Sequence, residues 1–187
     1  MPRPPEDTRF RRVLKQMIMW VILAATTGAA AWVDARSNQL GDLVRYDGIT
    51  LRLPKNLVPT SDHDGQGVIQ MRERGGHPVV VRTLTIRRVA FSLRSIFRGP
   101  PTHTEPFTLA DGVAAKISVV STHVGTDPET GEALKELEVL AVFTPPGGEP
   151  LVIGLRQLTF SERSDAKRNV RLVKQILETV RFVKDEG

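Results

Sequence analysis

A chain of 187 residues, 40% of them apolar, holds enough hydrophobic material for one core with a short appendage and too little for a second full domain. The net charge of +5 is unevenly spread: residues 1–36 carry six basic against three acidic side chains, leaving 20 against 18 in the rest, so charge gives no phosphate-binding surface and nucleic acid is not the expected partner. The absence of cysteine removes disulfides, thiolate catalysis, thiolate zinc sites and an acylated-cysteine lipid anchor.

Residues 1–16 are basic and read as a cytoplasmic N-terminus. From Met17 to Val33 there is no charge, and seventeen helical residues span about 25 Å. With Val13, Leu14 and a snorkelling Lys15 the apolar length reaches about 31 Å, which matches the hydrocarbon core. Trp20 and Trp32 fall toward opposite ends, where indoles prefer to sit. Residues 17–35 are therefore expected to be a transmembrane signal anchor, making a single-pass membrane protein whose C-terminal body lies on the extracytoplasmic, periplasmic side. The alternative is a removable signal peptide, cut near Ala29-Ala30-Ala31; it exports the body equally.

Residues 36–45 read as a short stalk, and 46–187 as the exported domain. The first strand is expected from Tyr46 to Leu53, where Ile49, Leu51 and Leu53 alternate with Thr50 and Arg52. Pro54 and Pro59 forbid a regular helix after it. Strands follow at 67–72 and 78–89, the second rich in β-branched residues, and the prolines after Gly99 end the stretch beyond it. Segments 107–109 and 113–123 flank an Asp111-Gly112 turn; 134–144 and 151–159 flank PPGGEP; 125–132 is a connecting loop. Successive hairpins imply an antiparallel sheet. From Ser164, expected as N-cap, the period changes: Val170, Val173, Ile176, Leu177 and Val180 form one stripe of an amphipathic helix, and 181–183 suits a closing strand. The expected class is α+β: an antiparallel sheet of hairpins with a C-terminal amphipathic helix packed on it, preceded by one transmembrane helix.

The opening YDGITLRLPKNL and the ending SERSDAKRNVRLVKQILETVRF resemble the first strand and the final helix and strand of the PsbP-like family, which includes a photosystem II extrinsic accessory protein, a Ran-binding factor and small bacterial exported proteins. The resemblance spans about residues 46–184. It implies an α/β sandwich acting as a binding or assembly module, and it supplies no catalytic residues.

One stretch imitates a calcium loop. DHDGQGVIQMRE has Asp62, Asp64 and Gln66 at its first, third and fifth positions, Gly67 at its sixth and Glu73 at its twelfth. Its flanks carry Pro54, Pro59, Gly75, Gly76 and Pro78, so neither is expected to be the helix an EF-hand needs, and a polar hairpin loop is the expected structure, with a weak non-EF calcium site as the alternative. His63, His77, His103 and His123 are scattered with no metal-binding spacing. No GxSxG, GxxxxGK[ST] or GxGxxG occurs. Between residues 72 and 98, Arg72, Arg74, Arg82, Arg87, Arg88, Arg94 and Arg98 face a single acid, Glu73. Arg82, Arg87, Arg88, Arg94 and Arg98 are candidates for contact with an anionic surface, and a solvated sheet edge is the competing reading. The functional expectation is a membrane-anchored, extracytoplasmic, non-enzymatic module with a protein partner in the envelope and no cofactor. The alternatives are a small exported hydrolase or a calcium-responsive module using loop 62–73.

Overall fold

The computed structural model describes residues 16–24, 39–46, 48–59, 68–73, 82–89, 99–128 and 130–183. The chain divides into two compact units, Met1–Gln39 and Leu40–Gly187. In the first, residues 16–24 are helical (α1), and Met17 to Leu23 expose their apolar side chains. Among the described residues no helix is long and apolar enough to cross a membrane. The expected span, 17–35, runs on past residue 24, and that remainder lies outside the described residues.

The second unit begins earlier than the sequence suggested. Residues assigned to a stalk form β1 (Leu40–Tyr46), which pairs antiparallel with β2 (Ile49–Pro54). Gly48, at φ 79°, allows the turn between them. The single expected strand from Tyr46 is thus two strands and a hairpin. The expected alternation is present in β2, where Ile49, Leu51 and Leu53 are buried while Arg52 is exposed. The remaining strands are β3 (Leu57–Pro59), β4 (Val68–Glu73), β5 (Arg82–Arg88), β6 (His103–Thr108), β7 (Ala114–Thr126), β8 (Ala133–Phe143), β9 (Leu151–Thr159) and β10 (Arg181–Phe182).

One sheet has the order β1-β2-β10, the other β3-β4-β5-β9-β8-β7-β6, and every pairing is antiparallel. Three of the expected turns organise the large sheet. Asp111-Gly112 closes the β6–β7 hairpin, with Leu109 donating to the Val113 carbonyl at 2.9 Å; residues 127–132 join β7 to β8; the PPGGEP stretch joins β8 to β9. β9 lies inside the sheet and is buried on both faces, so its LVIGL opening does not alternate. Leu151, Ile153 and Leu155 enter the main core, while Val152 joins Leu140, Val89 and Val142 in a smaller cluster on the opposite face.

The C-terminal helix α2 (Glu162–Glu178) covers the main-core face and contacts β7, β8, β9 and β2. Leu172, Val173, Ile176 and Leu177 are buried, as the apolar spacing requires, and Val180 is buried just beyond the end. The helix starts before Ser164: Ser161 occupies the N-cap position without a side-chain cap bond, and Ser164 Oγ donates back to the Ser161 carbonyl at 3.0 Å. Tertiary contacts replace the cap. Asp165, in the first turn, turns inward and accepts hydrogen bonds from Thr159 Oγ1 and from Gln157 Nε2, the latter at 3.2 Å; Asn169 Nδ2 donates to Gln157 Oε1 at 3.0 Å. At the other end Thr179 Oγ1 donates to the Ile176 carbonyl at 2.7 Å and accepts from the Arg52 amide at 2.9 Å, which ties the helix end to β2. β10 then pairs with β2, and Phe182 meets Phe143 edge-on at 6.4 Å. The closing strand is where the sequence placed it.

Candidate functional site

α2 crosses the sheet without covering its β6 edge. Between the first half of the helix and the β6–β7 hairpin lies an open groove of about 590 Å³, within the roughly 300–1,000 Å³ usual for small-ligand sites. Its floor is Val119 from β7 and Ala166 and Val170 from α2; its rim includes His103, Glu105, Glu162, Arg163 and Lys167. The pleat dictates this set. His103, Glu105 and Phe107 share the helix-facing side of β6, as Ala115, Ile117 and Val119 do on β7, and the register His103↔Val119 and Glu105↔Ile117 brings these rows together. On α2, Arg163, Ala166, Lys167 and Val170 follow the three- and four-residue spacing of one helix face.

The two carboxylates of the groove are committed. Glu105 accepts from Lys174 Nζ at 2.9 Å, and Glu162 pairs with Lys135 Nζ. The hydrogen bond from Lys135, followed by one from Ser121, holds the Glu162 carboxyl below its ordinary value against the opposing effect of partial burial. A carboxyl held ionised by a lysine is a poor proton donor. The cations opposite are uncommitted: among the described residues neither Arg163 nor Lys167 makes an ion pair or a hydrogen bond. Both are exposed and sit in the first two turns of α2, whose last turn has no basic residue. The helix dipole favours the reverse distribution, since its N-terminal end is already positive. The groove therefore presents an apolar floor under a rim whose two carboxylates are paired with lysines and whose two cations are not.

The residues singled out from sequence lie elsewhere. Asp62, Asp64 and Gln66 are outside the described residues, and Glu73 ends β4. The second half of that loop is itself a strand, β4, paired with β3 so that Pro59 stands opposite Met71, and the described residues of the loop are extended and not helical. Among the described residues no group of three or more His, Asp or Glu side chains is placed to hold a metal ion. Among the described residues, Arg82, Arg87 and Arg88 do not share one surface. Arg82 is 1% exposed and opposite Gln157 on the core-facing side of β5, so it cannot touch a membrane or a partner; Arg88 is exposed near Tyr46, and Arg87 is exposed on the other face of the strand. Arg94 and Arg98 are outside the described residues, as are His63 and His77. His123 is exposed near the end of β7. Of the two described histidines, His103 lines the groove and His123 does not. Arg163 and Lys167 carried a signal in the sequence, as cations at a helix start, but the partners that make a groove of them are about sixty residues away in β6.

Tyr46 presents a second polar group without an evident partner. Its hydroxyl is buried and makes no hydrogen bond, and burial raises its pKa while Arg88 partly offsets that rise.

No family model matches this chain, and no curated protein matches it. Among solved structures, a 1.50 Å crystal structure of a protein from Bacteroides thetaiotaomicron VPI-5482 is similar, with 8% sequence identity and a TM-score of 0.46. The similarity covers 80% of this chain and 51% of that one, so this chain spans about half the length of its structural counterpart.

Proposed function

We propose that this chain is a membrane-anchored, extracytoplasmic binding or assembly module of PsbP-like type, without catalytic machinery, whose binding site is the groove between α2 and the β6–β7 hairpin. The observation that carries the reading is the division of charge in that groove: both carboxylates are tied to lysines, and both cations of the helix face are left for a ligand. Neither acid is arranged to give up or take a proton, which favours binding over turnover. The anchor rests on the uncharged stretch from Met17 to Val33 behind a basic flank, with residues 16–24 helical. The protein partner expected in the envelope belongs to the same reading.

Cell fractionation with sequencing of the mature N-terminus tests the anchor; a photo-crosslinking residue at Lys167, compared with one at Arg156 on the opposite face of the sheet, tests the groove. The expected result is an intact N-terminus in the membrane fraction and adducts from position 167 alone. Soluble protein beginning near Trp32, or equal labelling from both positions, overturns the respective half. One observation favours a small hydrolase as a second reading: His103 lines the same groove as Glu105 and Glu162. Ester hydrolysis by the purified chain that disappears in His103→Ala would move the assignment to it.

A further inference from the structure

Taking the groove as the module's binding site, we propose that its ligand is a free, single-chain aliphatic monocarboxylate of the fatty-acid class, with its carboxylate at Arg163 and Lys167 and its hydrocarbon over Val119, Ala166 and Val170. Charge complementarity sets the head group. Arg163 and Lys167 are four residues apart on one face, about 5–6 Å between Cβ atoms, close enough to share one carboxylate. The positive end of the helix dipole adds to their field. A dianion is disfavoured, because two carboxylates, Glu105 and Glu162, line the same space. The floor sets the tail: its side chains are aliphatic, with no aromatic platform and no buried polar group among the residues that line the groove.

The edge strand argues against an extended peptide as the occupant. β6 is the last strand of the large sheet, so a peptide entering the groove would naturally add a strand alongside it. Pro106 stands in the middle of β6 and has no backbone N–H. An edge strand tolerates proline by turning the missing donor outward, and that breaks the row of donors an added strand needs. A compact ligand held by side chains meets no such obstacle.

The test uses the full-length chain in phosphatidylcholine nanodiscs, titrated calorimetrically with octanoate, octanol and octyltrimethylammonium after subtraction of empty nanodiscs. Methyl NMR locates the site. Octanoate is expected to bind saturably and to shift the Val119 and Val170 methyl resonances, with octanol weaker and the cation silent. The double variant Arg163→Gln/Lys167→Gln is expected to weaken octanoate about tenfold and to leave octanol unchanged, two exposed charge contacts together accounting for that factor. Arg156→Gln, on the opposite face, is expected to bind as the parent does. Ala166→Trp fills the floor and is expected to abolish the methyl shifts, its thermal melt showing that it still folds.

Equal affinity for octanoate and octanol, an unaffected double variant, or methyl shifts away from the groove overturns the proposal. sn-Glycerol 3-phosphate, a lipid head group without a chain, is expected not to compete; competition at octanoate's own concentration overturns the assignment to a free acid. The two readings fail separately. A chain retained in the membrane that ignores octanoate loses only the ligand class, and a soluble processed chain that binds octanoate loses only the anchor.

Discussion

Gly154 sits inside the large sheet, on β9, opposite Thr85 on β5 and Leu140 on β8. A Cβ placed there lies 3.1 Å from Leu140 Cδ2 and 3.9 Å from the Thr85 carbonyl oxygen, so only Leu140 is tight. Leu140 is 1% exposed and packs with Val152, Val89 and Val142, which leaves its methyl groups little room to retreat. Gly154→Ala sets two effects against each other. The unfolded chain loses backbone freedom, worth about 0.4–1 kcal/mol in favour of folding. Overpacking a buried contact costs about 1–3 kcal/mol. A net loss of about 1 kcal/mol is expected for alanine, and about 3 kcal/mol for Gly154→Val, whose two extra methyl groups press on the same neighbour. Leu140→Ala alone opens a cavity and costs about 2–5 kcal/mol. In the double variant Gly154→Val/Leu140→Ala the valine occupies vacated space, so its loss should fall short of the two single losses added together by about 1–3 kcal/mol. Urea unfolding of the four proteins closes the cycle. Additive losses within about 0.5 kcal/mol would show that Leu140 does not limit the size of residue 154, and the packing argument for this glycine would be lost.

Asp165→Ala leaves two nearly buried donors, Gln157 Nε2 and Thr159 Oγ1, without their acceptor and should cost about 2–4 kcal/mol, whereas Ser164→Ala at the cap position expected from sequence should change stability by less than about 0.5 kcal/mol; chemical denaturation separates them. Glu162 titrates below its ordinary value in the folded chain, so between that value and the unfolded one, about 4.3, the unfolded state holds more protons. Its contribution is complete above the unfolded value and disappears as pH falls through the folded one, so Glu162→Gln should flatten the acid limb of a stability–pH curve; identical limbs would contradict the Lys135 contact. Leu177→Ala removes a fully buried side chain from under α2 and should cost about 2–5 kcal/mol, lowering Tm by about 2–4 °C for each kcal/mol, as followed by circular dichroism. Calcium at millimolar concentration should leave Tm unchanged; a rise would restore a binding role to the loop holding Asp62 and Asp64.

The elements legible in the sequence were those encoded by near neighbours. Turn residues at Asp111-Gly112 and in PPGGEP placed two hairpins, and the stripe from Val173 to Leu177 placed the helix, because period and punctuation are properties of a short window. β1 is not legible in the sequence because it lies at a sheet edge and several of its side chains face solvent, so LGDLVRY lacks the alternation of a half-buried strand. The start of α2 was misplaced for a related reason: the inward-turned Asp165 is held by Gln157 and Thr159, partners on another element.

What the sequence by itself determined is an uncharged N-terminal stretch, a run of hairpins and one amphipathic helix. The tertiary structure decided which charges are available. Arg82, one of a conspicuous arginine cluster, is buried within the sheet, while Arg163 and Lys167, inconspicuous in the sequence, stand unpaired above an apolar floor. Pairing and burial depend on strand register and on the line along which the helix crosses the sheet, both set by contacts between residues far apart in the chain. No local window of sequence contains them.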